Sequence, residues 1–239
     1  MNKLIKKEWS GSWNGALMSA GTNAKLIKDN GEKYVVAGLS LAPADTVEGV
    51  NVCAMADKAG CKKGCLFSAG RGAFPNVINA RTRKTEFYRD DRKAFMATVE
   101  GDINAFKYKC EKEGVKPVIR LNVLSDINYM KLVKKFPTVQ FYDYTKNVKW
   151  AFKEVPDNYH LTFSYSGRDG YKHLIDKVVN ETKHNVAVVF KDKLPTTFMG
   201  RKVIDGDVND FRFDDDKGVI VGLKAKGKAR KDTTGFVIK

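Results

Sequence analysis

The sequence predicts an α/β protein built on a mainly parallel sheet of about six strands. Short β-prone segments recur at regular spacing through the second half of the chain, and helix-like stretches separate several of them. This alternation is typical of parallel sheets, because a parallel neighbour requires a crossover connection. A hydrophobic content of 43% is enough for a buried core and argues against a disordered chain.

The first strand of the sheet is expected at residues 34–41, an almost continuous apolar run typical of a strand buried on both faces. Pro43 follows the run and ends it, since proline donates no ladder hydrogen bond. Residues 75–113 carry apolar side chains at three- to four-residue steps, which predicts a helix or a helix pair. Cys110 lies on that apolar stripe. We therefore predict that it is a core residue, and leave open a role as a fourth metal ligand.

The remaining strands are expected in a regular series, with helices at 127–136 and 169–182 between them. The predicted strands are 118–122, 139–142, 160–164, 186–190, 203–204 and 219–223. The last two lie too close together for a crossover helix, so we expect the sheet to finish irregularly. Residues 1–33 are predicted to be a lead-in packed on the body, and 34–239 a single domain.

The charge of the chain predicts an anionic partner. The formal net charge is +15 at neutral pH, which favours nucleic acid or another polyanion. A basic surface without such a partner is the alternative. No secretory signal and no run of membrane-spanning length is recognisable in the sequence, so we expect a cytoplasmic protein with no membrane partner.

Three of the four cysteines lie close together, at Cys53, Cys61 and Cys65. Soft sulfur ligands select Zn, Cu(I) or iron–sulfur clusters, which makes these residues candidate metal ligands. Gly60 and Gly64 allow the backbone to turn tightly around a ligand. The alternative is that the cysteines are small buried apolar residues.

Polar side chains follow the predicted strands at the points where the strands end. In parallel α/β folds the ligand site lies at these carboxyl ends, so one rim is expected to carry them together with the cysteines. Arg71, between two glycines, is a candidate anion contact. Asp126, Asp143 and Lys146 are the candidate catalytic residues, although Asp126 can equally cap a helix. The candidate cofactor-binding residues are Arg71, Asn122, Ser125, Asp126, Asp143, Ser164, Asp205 and Asp207.

Several blocks of the chain resemble the phage- and plasmid-borne family called gene product 88. The resemblance covers most of residues 38–238 and implies a phage-type protein in the host cell cytoplasm, but it carries no activity. The matching blocks are 38–43, the three cysteines with 65–72, 120–122, 125–126, 140–146, 159–164, 185–190, 203–207 and 219–237.

A second resemblance, in the order of elements, is to radical S-adenosylmethionine (SAM) enzymes, in which a strand, a cysteine loop and further strand–helix units form a partial (β/α) barrel. It implies that Cys53, Cys61 and Cys65 hold a [4Fe–4S] cluster. It also implies that strand-end groups face SAM, and these are Asn122, Asp126, Asp143 and Ser164. The spacing here is Cys-x7-Cys-x3-Cys, whereas that family usually has Cys-x3-Cys-x2-Cys.

Three functions remain open from the sequence. The first is an iron–sulfur, SAM-using enzyme acting on a nucleic acid or nucleotide. The second is a non-catalytic nucleic-acid-binding or host-interaction protein with structural or Zn-binding cysteines. The third is a metal-dependent nuclease, whose carboxylates would be Asp126, Asp143, Asp205 and Asp207.

Overall fold

The computed structural model describes residues 15–20, 33–65 and 70–239. In these ranges the chain forms a nine-stranded sheet with the order β1-β2-β3-β4-β5-β6-β9-β8-β7. The strands are β1 (Met18–Ala20), β2 (Tyr34–Leu39), β3 (Lys116–Arg120), β4 (Gln140–Thr145), β5 (Tyr159–Ser164), β6 (Val186–Phe190), β7 (Thr197–Phe198), β8 (Arg201–Asp205) and β9 (Ile220–Lys224).

The strands from β2 to β8 in this order all run parallel, and only the edge strands β1 and β7 are antiparallel to their neighbours. The predicted α/β class and mainly parallel sheet are confirmed. The sheet is larger than the six strands expected, and β9 lies between β6 and β8 instead of following β8 outward. Closure into a partial barrel stays a prediction.

The described helices are α1 (Pro75–Asp90), α2 (Arg92–Glu113), α3 (Met130–Val133) and α4 (Lys172–Glu181). The predicted helical region at 75–113 is therefore a pair. It breaks at Asp91, whose backbone at φ −141° and ψ 79° leaves the helical region and whose side chain accepts a hydrogen bond from Ala94 N at 2.9 Å. Gly114 ends α2 in the left-handed conformation at φ +69°. Only one turn of the helix predicted at 127–136 forms, as α3.

The two faces of the sheet are covered differently. The large core joins strand residues such as Ala37 and Phe141 to the apolar faces of α1 and α2, with Phe95 fully buried between them. On the other face, Val36, Val118 and Tyr142 form a small cluster covered by Phe211 and Phe213 of the connection 206–219. No α-helix lies in that connection, as its short length predicted.

The lead-in contributes the edge strand β1, which is antiparallel to β2. Asp102 of α2 holds its start, because one carboxylate oxygen accepts from Leu17 N at 2.6 Å and Met18 N at 2.9 Å. Residues 1–14 and 21–32 of the predicted lead-in, which include Trp9 and Trp13, lie outside the described residues. None of the described helices combines the length and the apolar character that crossing a bilayer requires.

Candidate functional site

A cavity of about 1410 Å³ opens at the carboxyl edge of the parallel strands. Its walls come from the loop after β2, from the residues that follow β3, β4, β5, β8 and β9, and from the C-terminal segment up to Phe236. This is the edge at which parallel α/β folds bind ligands. Of the candidate residues, those that line the cavity are Cys53, Cys61, Cys65, Asn122, Ser125, Asp126, Lys146, Ser164 and Asp207.

The segment that carries the three cysteines, residues 53–65, is called here the cysteine segment, and hydrogen bonds of its backbone and of adjacent Val52 fix it to the cavity wall. Asp126 N donates to Val52 O at 2.7 Å and joins the start of the segment to the loop after β3. Further along, Ser166 Oγ donates to Ala59 O at 2.6 Å, and Thr234 Oγ1 donates to Gly60 O at 3.0 Å. The segment is therefore held both by the loop after β5 and by the C-terminal residues.

The three thiols lie on the same wall but are not arranged as ligands. Cys53 Sγ donates to Leu124 O at 3.4 Å, and Cys61 Sγ donates to Ala56 O at 3.7 Å. Burial raises the pKa of Cys53 to about 12 and also raises the pKa of Cys61, so both are thiols at neutral pH. Within residues 15–20, 33–65 and 70–239, no three Cys, His, Asp or Glu side chains form a group that could hold a metal ion.

Asp126 and Lys146 carry opposite charges into the cavity. Asp126 accepts from Thr145 Oγ1 at 2.7 Å and from Lys146 N at 2.9 Å, so its carboxylate is oriented by the end of β4. Burial raises the pKa of Asp126. Burial lowers the pKa of Lys146, against the opposing influence of Cys61 and Asp126. These two side chains are the groups in the cavity best suited to transfer a proton.

Aromatic rings surround the Lys146 ammonium. Its Nζ lies 4.8 Å from the ring centroid of Phe236 and 5.7 Å from that of Tyr171. Its remaining contacts are long hydrogen bonds of 3.4 Å to the carbonyl oxygens of Ser164 and Tyr165. Tyr171 Oη donates to Ser164 O at 3.0 Å and fixes that carbonyl in place. The ammonium is thus positioned mainly by rings and backbone oxygens.

Asn122 and Ser125, which line the cavity, are joined by hydrogen bonds to Asp143 behind its wall. Asp143 is buried below the cavity, where its carboxylate accepts from Asn122 N at 2.7 Å and from Tyr159 Oη at 2.8 Å. The Asn122 amide oxygen accepts from Ser125 Oγ and Ile127 N, each at 2.8 Å. Burial raises the pKa of Asp143 to about 7, although Arg120 and these donors act in the opposite direction.

The position of Asp143 follows from strand alternation. Tyr142 lies in the small cluster that Phe211 and Phe213 cover, so Asp143, the next residue of β4, points to the opposite, helix-covered face of the sheet. Asp205 is also outside the cavity, exposed and accepting from Asp207 N at 2.9 Å. Asp207 lines the cavity and pairs with Lys226 Nζ at 2.5 Å.

The side chain of Arg71 lies outside the described residues, so its predicted anion contact stays a prediction. Cys110 is buried in the core on α2, as predicted, and is not among the residues that line the cavity.

The sequence did not assign the charged group at the floor of the cavity. Arg120 Nη1 pairs with Asp210 Oδ2 at 2.6 Å, and Tyr144 Oη donates to Asp210 Oδ1 at 2.8 Å. An arginine within an apolar strand is a signal that could have found Arg120. Asp210 had no such signal, because it reaches the floor from the connection between β8 and β9.

Comparison with known proteins identifies the family. The model of the family described as Gene product 88 matches residues 16–239. The chain belongs to the Gene product 88 family. No curated protein and no solved structure matched it. The Gene product 88 match confirms the first resemblance, while the resemblance to radical SAM enzymes gains no support from these comparisons.

Proposed function

We propose that this Gene product 88 protein is an iron–sulfur enzyme that uses SAM and acts on a nucleic acid or nucleotide. The observation that carries the proposal is the shared position of the cysteines and the strand-end polar groups. Cys53, Cys61 and Cys65, from the connection after the first parallel strand, line the same cavity as Asp126 and Lys146.

The donor set fits a cluster in its chemistry. Thiolates are the usual ligands of iron–sulfur clusters, and three of them leave one iron open for SAM. The thiols are close enough to influence one another's charge, since each of Cys61 and Cys65 raises the pKa of Cys53. In the described conformation they are not in coordination geometry, so binding requires them to lose their protons and the segment to rearrange. A Zn ion at these thiols is the alternative.

A bound cluster would supply the single electron that cleaves SAM. The side chains of this protein would bind and orient the reactants. Burial raises the pKa of Cys61, and the positive charge of Lys146 opposes that rise and so favours the thiolate form. Asp126 faces the cavity from the loop after β3 and Lys146 from the end of β4, and the two could hold or move a proton there. The hydrogen bonds of Ser166 and Thr234 hold the backbone at residues 59–60.

The test is anaerobic purification and reconstitution with iron and sulfide, followed by an absorption spectrum, iron and sulfide analysis and an assay of SAM cleavage. We expect brown protein that cleaves SAM when reduced, and a loss of both properties in Cys61→Ser. Cys110→Ser is the matched control, because it removes a thiol from the core instead of the cavity wall. Colourless protein, or colour that survives Cys61→Ser, would overturn the proposal.

The second candidate function is a non-catalytic nucleic-acid-binding or host-interaction protein. The basic side chains at the cavity mouth favour it, together with the net charge of +15. It predicts colourless protein whose nucleic-acid affinity falls steeply with salt. A metal-dependent nuclease gains no support from the geometry, because Asp126 and Asp143 lie in separate hydrogen-bond networks, and of the neighbours Asp205 and Asp207 only Asp207 lines the cavity.

A further inference from the structure

The mouth of the cavity carries a basic segment at residues 224–231, which begins at the last residue of β9. Its sequence alternates small residues with cations. Ala225 and Ala229 are buried in a small cluster with Val237, while the cations between them are exposed. The buried alanines therefore fix one side of the segment against the protein and leave the cationic side facing solvent.

Three of these cations belong to the cavity. Lys224, Lys226 and Lys228 all line it, and Lys63 lines it from the cysteine segment. Gly64 brings the two segments together, since an added Cβ there would lie 3.6 Å from Ala229. Lys63 and the lysines of the 224–231 segment therefore border the same opening.

The mouth has more positive than negative charge available to a ligand. Lys226 is paired with Asp207 at 2.5 Å and Lys62 with Asp45 at 2.6 Å. Among the described residues no acidic side chain forms an ion pair with Lys63, Lys224 or Lys228. These lysines line a concave opening, where like charges reinforce one another and attract an anion.

We propose that this basic rim, formed by Lys63, Lys224, Lys226 and Lys228, binds the phosphates of a single-stranded nucleic acid whose neighbouring base enters the cavity. The inference rests on the proposed function for what happens to that base, but not for the binding itself. A cavity of about 1410 Å³ has room for a nucleotide and not for a duplex. A base can reach it only from a single strand or after leaving the stack.

The floor of the cavity suits a base. The polar side chains of Arg120, Asp210 and Tyr144 line it and are held by bonds to one another, and the ring of Phe236 lies on the wall near Lys146. Aromatic rings that stack on bases beside a cationic groove are the usual means of binding single strands. The rim and the floor therefore suit the two parts of one nucleotide.

The test is fluorescence anisotropy on protein without added iron, using a labelled oligonucleotide of about ten nucleotides. Single-stranded DNA, single-stranded RNA, the duplex and a mononucleotide are compared at several salt concentrations. The rim variant is Lys224→Gln with Lys228→Gln. The control is Lys109→Gln with Lys112→Gln, which removes the same charge from α2 just before β3, at the opposite edge of the sheet.

We expect the rim variant to bind the single strand at least about tenfold more weakly at low salt. Its salt slope should be smaller by about 0.7 for each phosphate that the protein no longer neutralises. The control variant should bind as the wild type does, and Lys224→Arg with Lys228→Arg should retain binding. Equal losses of affinity in the rim and control variants would overturn the inference. A duplex bound as tightly as the single strand, or displacement by a mononucleotide at the same concentration, would also overturn it.

The result is separable from that of the enzyme proposal. Rim-dependent binding by a protein that takes up no iron would refute the enzyme proposal and support the proposal that the rim binds nucleic acid. Normal iron content and SAM cleavage without rim-dependent binding would do the reverse.

Discussion

Replacing Asp210 with alanine should strongly destabilise the protein, because it leaves a buried guanidinium without its carboxylate. The Arg120 side chain is only 7% exposed, and its Nη1 lies 2.6 Å from Asp210 Oδ2. Burial alone would lower the pKa of Arg120, but the Asp210 carboxylate outweighs it and raises the pKa. The ion pair is therefore what keeps this charge in place beneath the cavity.

The magnitude follows from burial. Removing one partner of a buried ion pair costs about 3–5 kcal/mol, because the other charge stays desolvated. Tyr142 and Tyr144 also lose the carboxylate to which they donate, at 3.2 Å and 2.8 Å. For a protein of this size, each kcal/mol corresponds to about 2–4 °C, so the melting temperature should fall by roughly 10 °C.

The assay is urea unfolding followed by circular dichroism, with Glu100→Ala as the matched control. Glu100 pairs with Lys135 at the same distance of 2.6 Å, but that lysine side chain is 57% exposed. An exposed pair contributes about 1 kcal/mol or less, so the control should be nearly neutral. If Asp210→Ala also cost less than about 1 kcal/mol, the argument from burial would be refuted.

Three further predictions concern single side chains. Burial raises the pKa of Asp143 to about 7, so its protonated form stabilises the folded state at low pH. The free energy of unfolding should therefore fall by up to about 4 kcal/mol as pH rises from 4 to 7. Asp143→Asn should abolish that fall in the free energy of unfolding, measured by urea titration at several pH values. An unchanged pH dependence in the variant would contradict the prediction. Gly60→Ala should lower the melting temperature more than Gly170→Ala. Both glycines have positive φ, but only at Gly60 would the new Cβ approach a threonine oxygen at 2.7 Å; equal effects would remove the steric argument. Thr85→Val should cost about 1–3 kcal/mol in denaturant, because buried Ala42 N loses its acceptor at 2.8 Å; a neutral result would mean that water replaces the hydroxyl.

Much of the fold was predictable because its signals are local. Strands β2 to β6 appear in the sequence as apolar runs, and the helix pair α1–α2 as an apolar stripe, since each buries one surface against the same core. The place of β9 was not predictable. The chain makes β8 first and then returns to insert β9 beside β6, a choice that depends on long-range pairing.

The part of the candidate site that lies at the ends of predicted strands could be predicted from the sequence. Asp126, Lys146 and the three cysteines line the cavity because they follow strands whose carboxyl ends meet at one edge. Asp143 was also placed at a strand end, but alternation along β4 points it to the other face. Arg120 and Asp210 are 90 positions apart, and only the folded connection after β8 brings them together.

The sequence by itself determined the class of the fold, the order of most elements and which cysteines lie together, because these depend on neighbours along the chain. The tertiary structure alone decided which polar side chains face the cavity, which carboxylate is buried behind it and which lysines border its mouth. Those outcomes depend on strand register and on the packing of the C-terminal segment. Both are settled by contacts between residues far apart in the chain, which local periodicity does not record.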